Sequence, residues 1–495
     1  MRRYAESGFV LPATSVKRDI FIPRYYDPRI GGELADLSTT HHLLSLDQLI
    51  AAGDIFHDHG KYIPKIYYGT GAFPYIRTSD IANCEIKASP KHGVSQAIYD
   101  AYKDENDVKA GDILFVHEGT YLIGATSLVT PYDGPMLYQH HLAKFRVAEK
   151  CSFPPHFLLA AINAPLVQRQ IRSKQFSADI IDSVVGRVGE VIIPVPKDRD
   201  AIIRIANSVR GAVEGRAMMR ERLTHLFQAI DVWLRRAGSG NLSDILQWMP
   251  DPKDYQGRPA FLGERPSFTA FTLKSSSVKK DIFIPKYYDP SIPTMLTDYR
   301  DRCDLITISS LVGDGSISIR TGDEIGRLNY GTGENPFIRT SDLGSYELKS
   351  DAKHGVNDAV LSAYPQGIAE NDILLVRDGT YLVGSSVMVK AEDLPLLYCG
   401  GIYNIQVNNS EKISPALLYA ALNLPVVRAQ MRRKQFTRDV IDTLGHRLLE
   451  VVLPIPKDPA VRSSISDLVE LLSTQRVRYR AELDNLFKGM FAIGM

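Results

Sequence analysis

The run His57-Asp58-His59-Gly60 and the pair His140-His141 hold the side chains in this chain best suited to metal or proton chemistry. Two imidazoles and a carboxylate at such spacing can share a zinc-type ion. The stronger catalytic signatures are missing. There is no HExxH and no GxxxxGK[ST], and "GTG" at Gly69–Gly71 is shorter than a phosphate loop. No Asn-Pro-Pro-aromatic or Asp-Pro-Pro-aromatic run, of the kind that positions an amino group for methylation, occurs; "ENPFIRT" at Glu334–Thr340 is not one. The remaining candidates are cations. Arg169, Arg172 and Lys174 cluster in one place, and Arg428, Arg432, Arg433 and Lys434 in another. Such groups can meet phosphates and position a duplex without reading its sequence; a solvated basic helix end has the same composition.

These clusters sit in a duplicated chain. "IFIPRYYDP" at Ile20–Pro28 returns as "IFIPKYYDP" at Ile282–Pro290, and "YYGTGAFPYIRTSDI" at Tyr67–Ile81 as "NYGTGENPFIRTSDL" at Asn329–Leu343. After a two-residue length difference, "GDILFVHEGTYLIG" (Gly111–Gly124) pairs with "NDILLVRDGTYLVG" (Asn371–Gly384), and "QIRSKQF" (Gln170–Phe176) with "QMRRKQF" (Gln430–Phe436). An offset near 260 residues is too long for a solenoid and fits a duplicated domain.

The totals agree with two globular domains. The 495 residues include 58 basic and 57 acidic ones, 44% hydrophobic and 9% aromatic, which excludes a disordered or fibrous chain. A net charge of +1 leaves room for a local basic face. Cys84, Cys151, Cys303 and Cys399 form no CxxC pair, so a reduced compartment is expected. No signal-like or membrane-length apolar run is seen, and a cytoplasmic location is expected.

Each copy reads as a mixed α and β domain. "DILFV" and "TYLIGATSLV" read as strands, and "PPHFLLAAINAPLVQRQIRS" as one helix that Pro165 kinks or restarts. A long helix then closes each copy. Ile205, Val209, Leu223, Leu226 and Phe227 in the first, and Ile465, Leu468, Leu472, Leu483, Leu486 and Phe487 in the second, recur mostly three or four apart. A stripe of roughly 30 residues, about 45 Å, needs a partner of similar length, and the other helix is the economical one. The expected order is a domain over 1–198, a helix over 199–237, a linker over 238–271, a second domain over 272–458 and a second helix over 459–490. The fold class is α+β: two tandem mixed α/β domains, each followed by a long helix, the two helices packed side by side as a spacer.

Comparing the copies separates mount from variable parts. Arg77, Asp80, Lys91, His92, Glu118 and Gly119 return as Arg339, Asp342, Lys353, His354, Asp378 and Gly379, as fold-bracing residues would. "HDHGKY" (His57–Tyr62) instead faces "IRTGDE" (Ile319–Glu324), and "YQHH" (Tyr138–His141) faces "YCGG" (Tyr398–Gly401). His57, His59, Lys61, Gln139, His140 and Arg320 are therefore the candidates for reading base edges, since the major groove distinguishes all four base pairs.

The repeated domain-plus-helix order, with "PYIRTSDI"/"PFIRTSDL" and the "GDILFVHEGTYLIG" pair, resembles the specificity subunit of Type I restriction–modification systems over residues 10–237 and 272–490. The resemblance implies two target-recognition domains, each reading half of a bipartite double-stranded DNA target, with the antiparallel helices setting the gap. It implies no catalysis in this chain. Two adenine-N6 methyltransferase subunits would be the partners, together with restriction or translocase subunits in a complex that also cuts. S-adenosylmethionine would bind the methyltransferase, and no cofactor or metal is expected here. Where family members leave the recognition domain through a Leu-Pro-Pro-Leu-Glu-Gln-like stretch, this chain has "PVPKDRD" and "PIPKDPA". That departure leaves a related phage-defence methylation system open beside a conventional Type I one. The rival readings are a non-catalytic protein-binding scaffold of a defence complex and a metal or imidazole site in the first copy.

Overall fold

The structure is a computed structural model that describes residues 9–119, 122–178, 181–235, 270–379, 382–438 and 441–491. The linker expected over 238–271 lies outside them up to residue 269. Two compact units are present, and their boundaries do not follow the copies. Among the described residues, one unit holds the first copy up to Met218 together with 479–491. The other holds 219–235 and the second copy up to Arg478.

In the first of these units, the four-stranded antiparallel sheet has the order Ile55–His59, Leu142–Val147, Ile113–Val116, Thr126–Leu128. Ile113–Val116 is an unbroken apolar run because both of its faces are covered. Ile113, Phe115, Ala143 and Phe145 enter one core cluster with Phe157 and Leu158. Leu114, Val116 and Leu142 enter another with Ile76, Met136 and Tyr138. This is the period-two alternation of a strand between two layers. The segment His41–Ser45 pairs antiparallel with Ile192–Pro196, tying the beginning of the domain to its end.

The helix expected over Pro154–Ser173 is two helices, Pro155–Asn163 and Pro165–Ser173. Ala164 between them is extended at φ −60°, ψ 141°, because a proline disfavours the helical region for the residue before it. Leu424 before Pro425 does the same in the second copy. Three further helices, Pro28–Leu37, Leu46–Ala51 and Gln96–Asn106, were not anticipated. All are short, and each starts at a side-chain cap from Asp27, Ser45 or Ser95 rather than from a long apolar stripe. Of "TYLIGATSLV", Thr126–Leu128 is the only strand among the described residues.

The other unit repeats the plan: Ile317–Thr321, Ile402–Val407, Ile373–Val376, Ser386–Met388 form its four-stranded antiparallel sheet. Leu374, Val376 and Ile402 enter the cluster that corresponds to that of Leu114, Val116 and Leu142.

The two long helices span Arg199–Arg235 and Pro459–Gly489. Val209, Leu223, Leu226, Phe227, Ile465, Leu472, Leu483 and Phe487 are buried, and Ile205, Leu468 and Leu486 are half-buried. In the first unit, Ile202, Val209 and Val213 share the core cluster of the domain with Leu483, Phe487 and Met490. A Cβ at Gly215 would stand 2.7 Å from the Tyr479 ring. The beginning of one helix thus lies against the end of the other, and they pack antiparallel. In the other unit, Phe227 meets the rings of Tyr346 and Tyr419 at 5.6 and 6.0 Å. Asp231 accepts from Tyr299 at 2.7 Å, and Arg302 covers Trp233 at 4.1 Å. Each domain is closed by the end of the helix that follows the other copy.

The helical pattern placed charges on the outer faces, yet Arg216 and Arg476 are almost wholly buried. Arg216 donates to the Asn83 carbonyl at 2.6 Å and lies 3.3 Å from Glu85. Arg476 donates to the Ser345 carbonyl at 2.8 Å and lies 3.4 Å from Glu347. The receiving turns bend through left-handed residues, Asn83 and Cys84 in one copy and Tyr346 in the other. Removing a partner from a buried ion pair costs about 3–5 kcal/mol. Glu85→Ala and Glu347→Ala should therefore each lower the thermal midpoint by several degrees, as calorimetry would read. A surface-like loss below about 1 kcal/mol would contradict this.

Candidate nucleic-acid interface

Part of the variable set, His57–His59 in one copy and Ile319–Thr321 in the other, occupies an edge strand on the same mount. Ile55–His59 is the edge of its sheet, with His57 opposite Phe145 and His59 opposite Ala143. Ile317–Thr321 is the corresponding edge, with Ile319 opposite Ile405 and Thr321 opposite Tyr403. An edge strand leaves one side of its backbone and its outer side chains open to a ligand.

In the first copy, imidazoles assemble around this edge. His57 stacks on Phe145 at 5.1 Å and meets His59 edge-on at 4.7 Å. His59 Nδ1 is 3.3 Å from His117 Nε2, which also lies 2.9 Å from the His140 carbonyl. Because a carbonyl only accepts, His117 carries its proton on Nε2 and donates it to the His140 carbonyl. His140 packs 4.0 Å from His141 and 5.5 Å from Tyr62, and His141 Nδ1 is 2.6 Å from Glu118. Gln139 accepts from Arg77 at 3.2 Å, and Arg77 also reaches His92 at 3.2 Å. Lys61 pairs with Glu105 at 3.5 Å and bridges Gln139 through the backbone. Of the readout candidates, His57, His59, Lys61, Gln139 and His140 are thus brought together.

Burial keeps several of these imidazoles neutral. It holds His117 down at about 4, helped by His59, and His92 at about 4, helped by Arg77 and Lys91. Burial also lowers His57 and His140. Among the described residues, no group of three or more His, Cys, Asp or Glu side chains is arranged to hold a metal ion. The metal alternative for the first copy therefore has no ligand set there.

The second copy puts arginine where the first has histidine. Arg377 takes the place of His117, pairs with Asp378 at 2.6 Å and lies 5.8 Å over the Tyr403 ring. Arg320, exposed on the edge strand, stands where Asp58 does. Gly400 and Gly401 replace His140 and His141. What stays is the base of the patch: Tyr68 with His92 at 4.7 Å, and Tyr330 with His354 at 4.5 Å. Sequence reasoning passed over His117 and Arg377, although they are the least conservative change inside the "ILFVHEG"/"ILLVRDG" match.

The basic clusters are placed differently from the expectation. Lys174 Nζ is 3.1 Å from Glu190 and 4.8 Å over the Tyr25 ring. Lys434 Nζ is 2.9 Å from Glu450 and 4.7 Å over Tyr287. Arg433 pairs with Asp289 at 2.6 Å, and Arg169 pairs with Glu33. Arg172 and Arg432 are exposed. This explains much of the repeated "IFIPRYYDP": Tyr25 donates to Glu190 at 2.6 Å and Tyr287 to Glu450 at 2.5 Å, so the motif is bound to its own basic cluster. Burial opposes ionisation of Glu190, but hydrogen bonds from Tyr25, Lys174 and Lys17 outweigh it and hold it at about 2. Glu450 is held at about 2 in the same way by Lys279, Tyr287 and Lys434. As placed, Lys174 and Lys434 brace their own domains through Glu190 and Glu450.

No helix among the described residues is long and apolar enough to cross a membrane. No protein-family model matches the chain, and no curated protein matches it. Among solved structures it is similar to a Type-I restriction-modification system S subunit from M. genitalium. That match has 14% identity, covers 92% of this chain and 97% of that one, and has a TM-score of 0.31. It is also similar to the HsdS subunit from Thermoanaerobacter tengcongensis, at 14% identity, 92% and 95% coverage, and a TM-score of 0.25.

Two outcomes follow from these placements. Lys174→Ala and Lys434→Ala should each lower stability by about 1.5–3 kcal/mol, the range for a charged hydrogen bond, while leaving the salt dependence of any DNA binding unchanged. Denaturation and a salt titration check this; a shallower salt slope at full stability would restore them as phosphate contacts. Stability should also fall as pH drops from the ordinary histidine value of 6.5 to about 4, because the unfolded chain takes up protons that His92, His117 and His354 refuse while folded. A second loss should follow below 4.5 as Glu190 and Glu450 approach protonation. Thermal midpoints measured across that range would show both, and a flat profile between 6.5 and 4 would contradict the buried neutral histidines.

Proposed function

We propose that this chain is a non-catalytic, sequence-specific DNA-binding subunit that reads a bipartite target, one half-site per duplicated domain. In this reading it brings adenine-N6 methyltransferase subunits, and restriction or translocase subunits where the complex also cuts, to the DNA. The observation that carries it is the pair of edge strands. Their mounts agree in register and packing, while the side chains they present change from His57, Asp58 and His59 to Ile319, Arg320 and Thr321. A scaffold binding the same protein twice has no need of this difference. A reader of two different half-sites does, because each base pair offers its own pattern of donors and acceptors.

Chemistry suits the roles. Arg320 and Arg377 can present a two-pronged donor to guanine, and the His57, His59 and His140 imidazoles, with Gln139, carry donor and acceptor atoms. Arg172 and Arg432, both exposed, are candidates for phosphate contact. The antiparallel helices, about 45 Å or more in length, suit half-sites about one helical turn apart. S-adenosylmethionine belongs to the methyltransferase partner in this reading.

The test is an exchange of the edge strand. Replacing His57-Asp58-His59 by Ile-Arg-Thr should change the preferred sequence of one half-site and leave the other half and the gap unaltered. Duplexes selected from a random pool by wild-type and exchanged chains give the answer. An unchanged motif would remove this strand from the readout, and no selected duplex at all would favour the protein-binding scaffold.

A further inference from the structure

Ile66 and Leu328 occupy the same position in the two copies, on the turns Lys65–Tyr67 and Arg327–Asn329. Both are large aliphatic side chains left in solvent, 78% and 94% exposed. One exposed aliphatic side chain is ordinary. The same one at the same turn in both copies, where neighbouring surface residues have changed, needs a reason outside the fold.

Both turns are firmly held. Tyr68 N–H donates to the Lys65 carbonyl at 3.0 Å, and Tyr330 N–H to the Arg327 carbonyl at 3.2 Å. Two residues past each aliphatic side chain, a tyrosine anchors the turn to the base of the candidate interface. Tyr68 packs on Tyr75 at 5.4 Å and on His92 at 4.7 Å. Tyr330 packs on Phe337 at 5.4 Å and on His354 at 4.5 Å. Arg77, which also bonds Gln139, lies 6.0 Å over Tyr68, so the turn is continuous with the readout patch. An exposed cation precedes each aliphatic residue, Lys65 in one copy and Arg327 in the other.

Resting on the DNA-reading function proposed above, we infer that Ile66 and Leu328 are wedges, one per half-site, that insert between adjacent base pairs of the bound duplex while Lys65 and Arg327 meet the flanking phosphates. An apolar side chain that reaches a base step unstacks it whatever its sequence. That is why the wedge position keeps its type while the edge strands diverge. The cation supplies the sequence-independent attraction. The duplex would be opened or kinked at one step in each half, and flexible pyrimidine–purine steps would be favoured there without any base contact.

The probe is a duplex that the full chain selects from a random pool, carrying 2-aminopurine at each position in turn. Binding should raise the emission several-fold at one step in each half-site. Ile66→Ala should abolish the rise in one half only, and Leu328→Ala in the other. Both variants should keep the wild-type thermal midpoint, since neither side chain is packed. Sequence-specific binding with no rise at any step, or a rise that survives both substitutions, overturns the wedge and leaves the DNA reader standing. If no duplex is selected, the DNA-reading function fails and the wedge with it.

Discussion

Two guanidinium groups hold this architecture together. Arg216 and Arg476 leave the long helices and enter the turns at Asn83–Glu85 and Ser345–Glu347 of their own copies. A buried cation is tolerated only where carbonyl and carboxylate partners meet it in a defined geometry. Each helix is therefore fixed in direction against its domain, and its far end is free to close the other core. Leu483, Phe487 and Met490 do so in one unit, and Phe227 and Asp231 in the other. A domain that depends on the helix of the other copy for its core is not independent of it, which suits a function needing both copies together.

A rigid mount permits variation at its edge. Because Phe145 and Ile405 lie inside their sheets, the edge strands opposite them can change outward residues without disturbing the fold. The two patches have diverged electrostatically: imidazoles dominate one, and Arg320 and Arg377 stand in the other where the first has Asp58 and His117. The "IFIPRYYDP" repeat has the opposite history. Its tyrosines are committed to Glu190 and Glu450, so it could hardly drift.

Much of this was legible in the residues. The duplication, the mixed domains, the pairing of the two long helices and most of their buried stripe followed from repeats and from three-to-four spacing, and their antiparallel direction from the family resemblance. The gathering of His57, His59, Gln139 and His140 was legible only as a difference between copies, since nothing in their separation along the chain says that they meet. Arg216 and Arg476 were missed because a helical pattern assigns arginine to the solvent face, and the turns that receive them are some 130 residues distant. The pairing of Lys174 with Glu190 and of Lys434 with Glu450 was missed for a similar reason: tertiary folding brings the carboxylates to them. The short helices escaped because capping, not a hydrophobic stripe, defines them.

The central claim is that the duplicated domains direct methylation to a two-part DNA sequence. It is met most directly by recovering the tagged chain from its native cell, assaying the bound methyltransferase activity and sequencing the adenines it modifies. The account predicts a co-purifying adenine methyltransferase and a two-part motif with a fixed gap. A folded preparation that brings down neither methyltransferase nor DNA, or a single uninterrupted motif, would contradict it.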